Sequence, residues 1–312
     1  MRASGTNSGR VRAVPAVLAA CLAAIAGCGR PTGGFEVPQP VDDRPMREVI
    51  ARVNANAAGA DFTIRIGGVL ATGEMPEPSG GNRRFEARGV ALFRKPRDLY
   101  LRLQPTWGTL TAGSNDEAFW VWEQFQESRY YWGRHEDVDE TDDLDIPLRP
   151  DHLVEVLGLG DLPIDTTGPL GPVFWVGSTR YALLFMAEDD AGQRYLTKKI
   201  AIDRSPPYLV RSVVYFAPDG HPLVIAGLSD YRPIEGGTAL APHRIRFEWP
   251  ARRSRVELTF SGMQRFDKPE ARQRFVAPHA SGRDLGEMIR LGTPQPTSFP
   301  SAVPEETFQE PP

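Results

Sequence analysis

From Phe62 to Phe266 the sequence runs as a succession of short stretches in which apolar residues recur at every second position. Phe62, Ile64 and Ile66 alternate with Thr63 and Arg65, and Leu99, Leu101 and Leu103 alternate with Tyr100 and Arg102. Period 2 puts one set of side chains on one face of a strand. Turn formers separate the stretches, at Lys95-Pro96-Arg97-Asp98, Ser114-Asn115-Asp116, Asp189-Asp190-Ala191-Gly192 and Pro218-Asp219-Gly220. Connections this short pair neighbouring strands antiparallel. Some stretches are apolar at consecutive positions as well, as in Phe119-Trp120-Val121-Trp122 and Ala182-Leu183-Leu184-Phe185-Met186. A sheet that is apolar on both faces must be covered on both or curl around an interior. The expected fold is therefore mainly β with some α: a large, strongly curved, half-open antiparallel barrel of about eleven strands. Two or three short helices would cover its mouth.

The helices can be placed. In the segment "DDRPMREVIARVNANAAGA", Asp43 can cap, Pro45 suits a first turn, Val49, Ile50 and Val53 share a face, and Gly59 ends the pattern. A second, short helix is expected from Pro150-Asp151. Between the early and late strands lies the acidic interval 136–145, read as a solvated loop because it lacks the spacing and glycine of an EF-hand.

The N-terminus carries a different signal. The chain has two cysteines, Cys21 and Cys28, and both lie in its most apolar segment. Arg2, Arg10 and Arg12 precede a run of Ala, Val, Leu and Ile that ends in Ile25-Ala26-Gly27-Cys28. A basic start, a short apolar run and small residues make a secretory signal, and the run falls short of the about 20 residues of a membrane-spanning helix. The ending looks like a bacterial lipobox, with Cys28 as the acylated residue. Leu18-Ala19-Ala20-Cys21 also fits, but cutting there would leave an apolar stub and too short a signal core. The expected organisation is a signal peptide over 1–27, a tether over 28–42, one domain over 43–270 and a Pro-rich, largely disordered tail over 271–312. From Thr293 onward that tail has six prolines in twenty residues. Acyl chains on Cys28, at about 0.8 kcal/mol per buried methylene, would hold the protein on a membrane. In Gram-negative sorting an Asp after the lipidated cysteine favours the inner membrane. Gly29 stands there instead, which points to the outer membrane, facing the periplasm.

Little here supports catalysis. The histidines are scattered, no His-Glu-x-x-His pair offers a zinc site, and there is neither a Gly-x-Ser-x-Gly elbow nor a phosphate loop. No metal, no cofactor and no enzymatic activity is expected. A formal net charge of −4 gives no electrostatic footprint for nucleic acid.

Several ordered features resemble the LolA/LolB-like family of bacterial lipoprotein carriers and receptors. A helix precedes the first strand. The segment "RRFEARGVALFRKPRDLYLRL", Arg84 to Leu103, is similar to that family's strand, Pro-containing turn and strand. The segment "SNDEAFWVW", Ser114 to Trp122, is similar to its turn followed by an aromatic strand. The likeness spans residues 44–268. It implies an unclosed barrel around a cavity for acyl chains, and an exposed apolar residue on the loop after the third strand, where Trp107 stands. Candidate lining residues for the hydrophobic ligand are Phe93, Leu101, Trp120, Trp122 and Phe185. The expected partners are the membrane, through Cys28, and a lipid or lipoprotein cargo. The alternative is a non-catalytic structural or interaction lipoprotein of the envelope, with the same fold and no cargo.

Overall fold

The computed structural model describes residues 44–76, 82–138, 149–163, 170–189, 191–281 and 284–292. The signal with Cys21, the tether with Cys28, most of the acidic interval and the segment from Thr293 onward lie outside them.

Helix α1 runs Met46–Ala58 with Pro45 at its N-cap and Gly59 at its C-cap, and it buries Val49, Ile50, Val53 and Ala57. Each fully buried Val or Ile contributes about 1.5–3 kcal/mol. Six strands follow as a meander: β1 Ile64–Pro76, β2 Asn82–Arg94, β3 Asp98–Pro105, β4 Thr109–Ser114, β5 Ala118–Gln124 and β6 Ser128–Arg134. The short helix α2, Pro150–Val156, stands between the two series of strands, with its proline in the first turn where no amide donor is lost. The second series is β7 Val173–Val176, β8 Arg180–Glu188, β9 Arg194–Asp203, β10 Val210–Phe216, β11 Pro222–Pro233, β12 Leu240–Trp249 and β13 Ser254–Arg265. Helix α3, Glu270–Arg274, and β14, Glu287–Arg290, end the described chain.

The fourteen strands of the described residues form one sheet, in the order β14-β6-β5-β4-β3-β2-β1-β13-β12-β11-β10-β9-β8-β7. The β1–β13 pair joins the two meanders, with Ile64 opposite Arg265. Pairing is antiparallel except at one edge, where β14 lies parallel to β6. The count exceeds the expected eleven for identifiable reasons. The apolar stretch 172–188 reads as one strand but folds as a hairpin, closed by the Gly177 amide donating to the Arg180 carbonyl at 2.9 Å. Residues 287–290, in the segment read as tail, add an edge strand.

The sheet is strongly curved. Val121 on β5 and Leu183 on β8, far apart in strand order, belong to one buried cluster with residues of α1 and α2. The inner face presents Ile64 and Ile66 on β1, Ala87, Ala91 and Phe93 on β2, and Leu99, Leu101 and Leu103 on β3. A bulge between Ile66 and Val69, at Gly67-Gly68, returns Val69 to that face. Two asparagine side chains fix α1 inside the curve. Asn54 donates to the Leu162 carbonyl at 2.9 Å and accepts from its amide at 2.8 Å, and Asn56 does the same with Leu240 at 3.0 and 2.8 Å. Each amide pairs with a peptide group as a neighbouring strand would, so the burial of the helix leaves those backbone groups satisfied.

Candidate functional site

One end of the interior, away from α2, is incompletely filled by side chains. There an apolar cavity of about 100 Å³ is left beneath the tips of β1–β4 and β13, lined by Ala71, Ala87, Leu103, Leu110, Val256 and Leu258. Small residues at inward positions create it: Ala71 and Ala87 face each other in register across β1 and β2, where the opposite end of β2 carries Phe93.

Three aromatic rings close this cavity. Trp107, on the turn between β3 and β4, meets Phe85 edge-on at 6.3 Å and 77°, and Phe125, on the turn between β5 and β6, at 6.5 Å and 64°. The Arg83 guanidinium stands over the other side of the indole, 4.4 Å from the ring centre. Edge-to-face contacts of this kind are worth about 0.5–1.5 kcal/mol each. The approach of the two turns depends on Gly108. A Cβ there would lie 2.3 Å from the Gln124 carbonyl oxygen, at a φ of +153°. Outside the rings is a wider opening of about 500 Å³ with Arg83, Glu123, Glu127 and Arg129 on its rim. Trp107 and Phe125 line both spaces and form the partition between them.

A pocket for a lipid-sized ligand is about 300 Å³ or larger, so the inner cavity alone is too small for a long chain. Cavity and opening together exceed that size once the rings swing aside. Trp107 and Phe125 sit on short connections outside any ladder, where rearrangement breaks the fewest backbone hydrogen bonds, while Phe85 is held within the β1–β2 ladder.

The residues singled out in the sequence do not converge. Phe93 and Leu101 face inward but are packed into the core, at 1% and 0% exposure. Phe185 also faces inward, on the far wing of the sheet, with the Lys198 ammonium 5.0 Å from its ring centre. Trp120 and Trp122 point the other way. On β5, Phe119 and Val121 join the inner core while Trp120 joins a separate outer cluster with Tyr130, Ala277 and Leu285, against which Trp122 and Trp132 pack. Trp107 alone among the six borders the apolar cavity. Phe85 and Phe125 escaped the sequence reading, although the alternation Phe85, Ala87, Gly89, Ala91 signals a strand face too small to fill a barrel.

The outer aromatic cluster exists because the described residues of the C-terminal segment, 270–281 and 284–292, fold back over the convex face. Phe275 and Leu285 are buried there, and the Asn115 amide donates to the Phe275 carbonyl at 3.2 Å. His279 lies against Trp132 at 4.7 Å and is within 2.8 Å of the Tyr130 hydroxyl. Burial lowers the proton affinity of this imidazole and raises the Tyr130 pKa, so a neutral imidazole meets a protonated phenol.

At the opposite end of the barrel, Glu155 of α2 accepts from the Tyr215 hydroxyl at 2.6 Å and pairs with Lys198 at 2.8 Å. These bonds tie the helix to β9 and β10. Ser114 Oγ lies 3.4 Å from His135 Nε2, but that nitrogen is also 2.9 Å from the Asn115 carbonyl oxygen. The carbonyl requires the proton on Nε2, which leaves it unable to accept the serine's, and Ser114 is fully buried. Among the described residues no group of three His, Cys, Asp or Glu could hold a metal ion, and no helix is long and apolar enough to cross a membrane.

No protein-family model matches the chain, and no curated protein matches it. Among solved structures the fold is similar to that of a LolA superfamily protein from Nitrosomonas europaea, at 12% identity and a TM-score of 0.45, covering 74% of this chain and 98% of that one. It is similar to a domain described as an outer membrane lipoprotein-sorting protein from Vibrio parahaemolyticus, at 10% identity and a TM-score of 0.45, covering 73% and 96%. A DUF1329 family protein from Desulfovibrio piger is similar at 12% identity and a TM-score of 0.46, covering 77% and 100%.

Proposed function

We propose that this chain is an envelope protein, anchored by acyl groups on Cys28 at the outer membrane, whose half-barrel takes up a hydrophobic chain of a lipid or lipoprotein behind Trp107. The observation that carries this reading is the apolar cavity closed by the Trp107 and Phe125 rings. Its floor is aliphatic, its lid rests on two turns, and its outer rim is charged. A single acyl chain, entering between Trp107 and Phe125, would replace the ring contacts with contacts to Leu103, Leu110, Val256 and Leu258 and leave a polar head among the rim residues. No bond is made or broken, and the role is carriage or reception.

The small volume of the closed cavity favours the second reading, a structural or interaction lipoprotein of the same fold without cargo. One experiment separates them. The full chain with Cys28→Ser, which removes its own acyl groups, is titrated with a fluorescent fatty-acid analogue. Binding at micromolar levels is expected, with quenching of Trp107, and Ala87→Leu, which fills the cavity, should abolish it in a folded protein. A folded chain that binds nothing up to the solubility limit of the probe leaves the structural reading standing.

A further inference from the structure

The aromatic strand β5 puts its tryptophans on the convex face, and the hydrophobic cavity uses neither of them. That face holds a second space, a cleft of about 490 Å³ between the outer side of β3–β5 and the C-terminal segment that folds over it. It is independent of the interior site and of whether that site carries a lipid.

The floor is built by register. Tyr100 lies opposite Gly113, which lies opposite Trp120, and Arg102 lies opposite Thr111, which lies opposite Trp122. Two rows thus cross three strands, one aromatic and one polar-to-aromatic. Gly113 leaves room for the Trp120 indole to lie across the ladder, since a Cβ there would be 2.3 Å from its ring. Trp122 is steered by its indole N–H, which donates to Ser128 Oγ at 3.0 Å, and that hydroxyl in turn donates to the Leu285 carbonyl at 2.9 Å. The wall comes from α3 and the residues after it, with Arg274 placed 5.6 Å from the centre of the Tyr100 ring.

The charge in this cleft is one-sided. Its lining has Arg102 and Arg274 and no carboxylate. Among the described residues neither guanidinium forms an ion pair, and both are exposed. Arg94, on the neighbouring β2, shows the contrast: its guanidinium is held by Asp98. The primary amides of Gln124 and Gln273 and the Thr111 hydroxyl complete the polar lining.

We propose that this cleft binds an anionic sugar. Trp120 is 1% exposed and forms the buried base of the floor, while the half-buried Tyr100 and Trp122 rings offer flat apolar surface that matches the C–H faces of a pyranose, and amides and hydroxyls pair with its hydroxyl groups. Guanidinium groups recognise carboxylate or phosphate through paired, charge-assisted hydrogen bonds. An aliphatic chain would leave both arginines facing it without a counter-charge, and a neutral sugar would leave them idle. The anion can be the carboxylate of an acidic glycan or the phosphate of a phosphorylated sugar headgroup, and the two are distinguished below.

The test titrates the full chain with tetragalacturonate, glucose 1-phosphate, maltotetraose and inorganic phosphate, read by tryptophan fluorescence and calorimetry. At least one of the two anionic sugars should bind with a Kd below about 1 mM, the level expected of a modest polar site. Tetragalacturonate alone identifies a carboxylate glycan, and glucose 1-phosphate alone a phosphorylated headgroup. Maltotetraose should bind at least about tenfold more weakly than the anionic sugar, and Arg102→Gln or Arg274→Gln should weaken that sugar by a similar factor at unchanged melting temperature. The proposal is overturned if neither anionic sugar binds, if maltotetraose binds equally, or if both arginine variants bind as the wild type does. It is also overturned if inorganic phosphate binds as tightly as the sugars, which would make this a bare anion site.

Discussion

Arg83 rests its guanidinium 4.4 Å above the centre of the Trp107 ring, and so holds the indole from the solvent side while Phe85 and Phe125 hold its edges. At an exposed site such a contact is worth about 0.5–1 kcal/mol. Arg83→Ala should therefore cost little stability yet loosen the lid. In stopped-flow mixing with a fluorescent fatty acid, association should speed several-fold. Trp107→Ala should speed it further, and lower stability by about 2 kcal/mol through the lost ring contacts. Unchanged association in both variants would show that the rings do not limit entry.

Asn54→Ala and Asn56→Ala each remove a donor and an acceptor that satisfy a peptide group of the surrounding structure. Each should destabilise the fold by about 1–3 kcal/mol in urea denaturation. Both anchor the same helix two residues apart, so the double variant should depart from the sum of the two, and an additive result would show that the anchors act independently.

Gly113→Ala places a methyl 2.3 to 2.7 Å from three atoms of the Trp120 indole. Overpacking of this kind costs about 1–3 kcal/mol. The displaced indole should also loosen the C-terminal segment, seen as faster amide exchange over β14 and a red-shifted tryptophan emission. Wild-type exchange at β14 would show that the segment is held independently of Trp120.

Burial holds His279 and His135 below the ordinary imidazole pKa of 6.5. The unfolded chain therefore takes up protons at these positions before the folded chain does. Stability contributed by the neutral rings is fully present above pH about 6.5 and is lost as the pH falls through the lowered folded-state values. Melting temperature should decline from pH 7 toward pH 5, and His279→Gln, which keeps an acceptor for Tyr130, should lessen the decline. A flat profile over that range would contradict the assignment.

Cys28→Ser should abolish incorporation of labelled palmitate and release the protein from membranes or leave an uncleaved precursor. Incorporation that survives in Cys28→Ser and is lost in Cys21→Ser would move the anchor to Cys21.

Much of this architecture was legible from the sequence because its strands repeat every second residue and its helices announce themselves. Pro45 with Val49, Ile50 and Val53, and Pro150 with Asp151, marked α1 and α2 within a residue or two. The direction of β5 was not legible. Where Phe119, Trp120, Val121 and Trp122 are all apolar, alternation no longer says which face is the core, and only the covering segment decides. That segment was itself hard to read. Glu287-Met288-Ile289-Arg290 has a single pair of apolar residues, and its pairing with β6 depends on Leu285 and Phe275 holding it in place. The binding cavity was hidden for a different reason, since it arises from what is missing at Ala71 and Ala87.

The pairing of Ile64 with Arg265 sets an order of events for a chain that emerges N-terminus first. Strands β1 to β6 can zip as consecutive hairpins as they appear, and so can β7 to β13. The free edge of β1, however, has no partner until β13 has been made, and α1 has no complete interior to enter until then. Loop closure over so long a stretch of chain is slow compared with hairpin formation. The protein therefore passes through a stage with an exposed strand edge and an uncovered apolar face. A chain truncated before residue 254 would remain in that state, as a substrate for chaperones and proteases instead of a smaller folded domain.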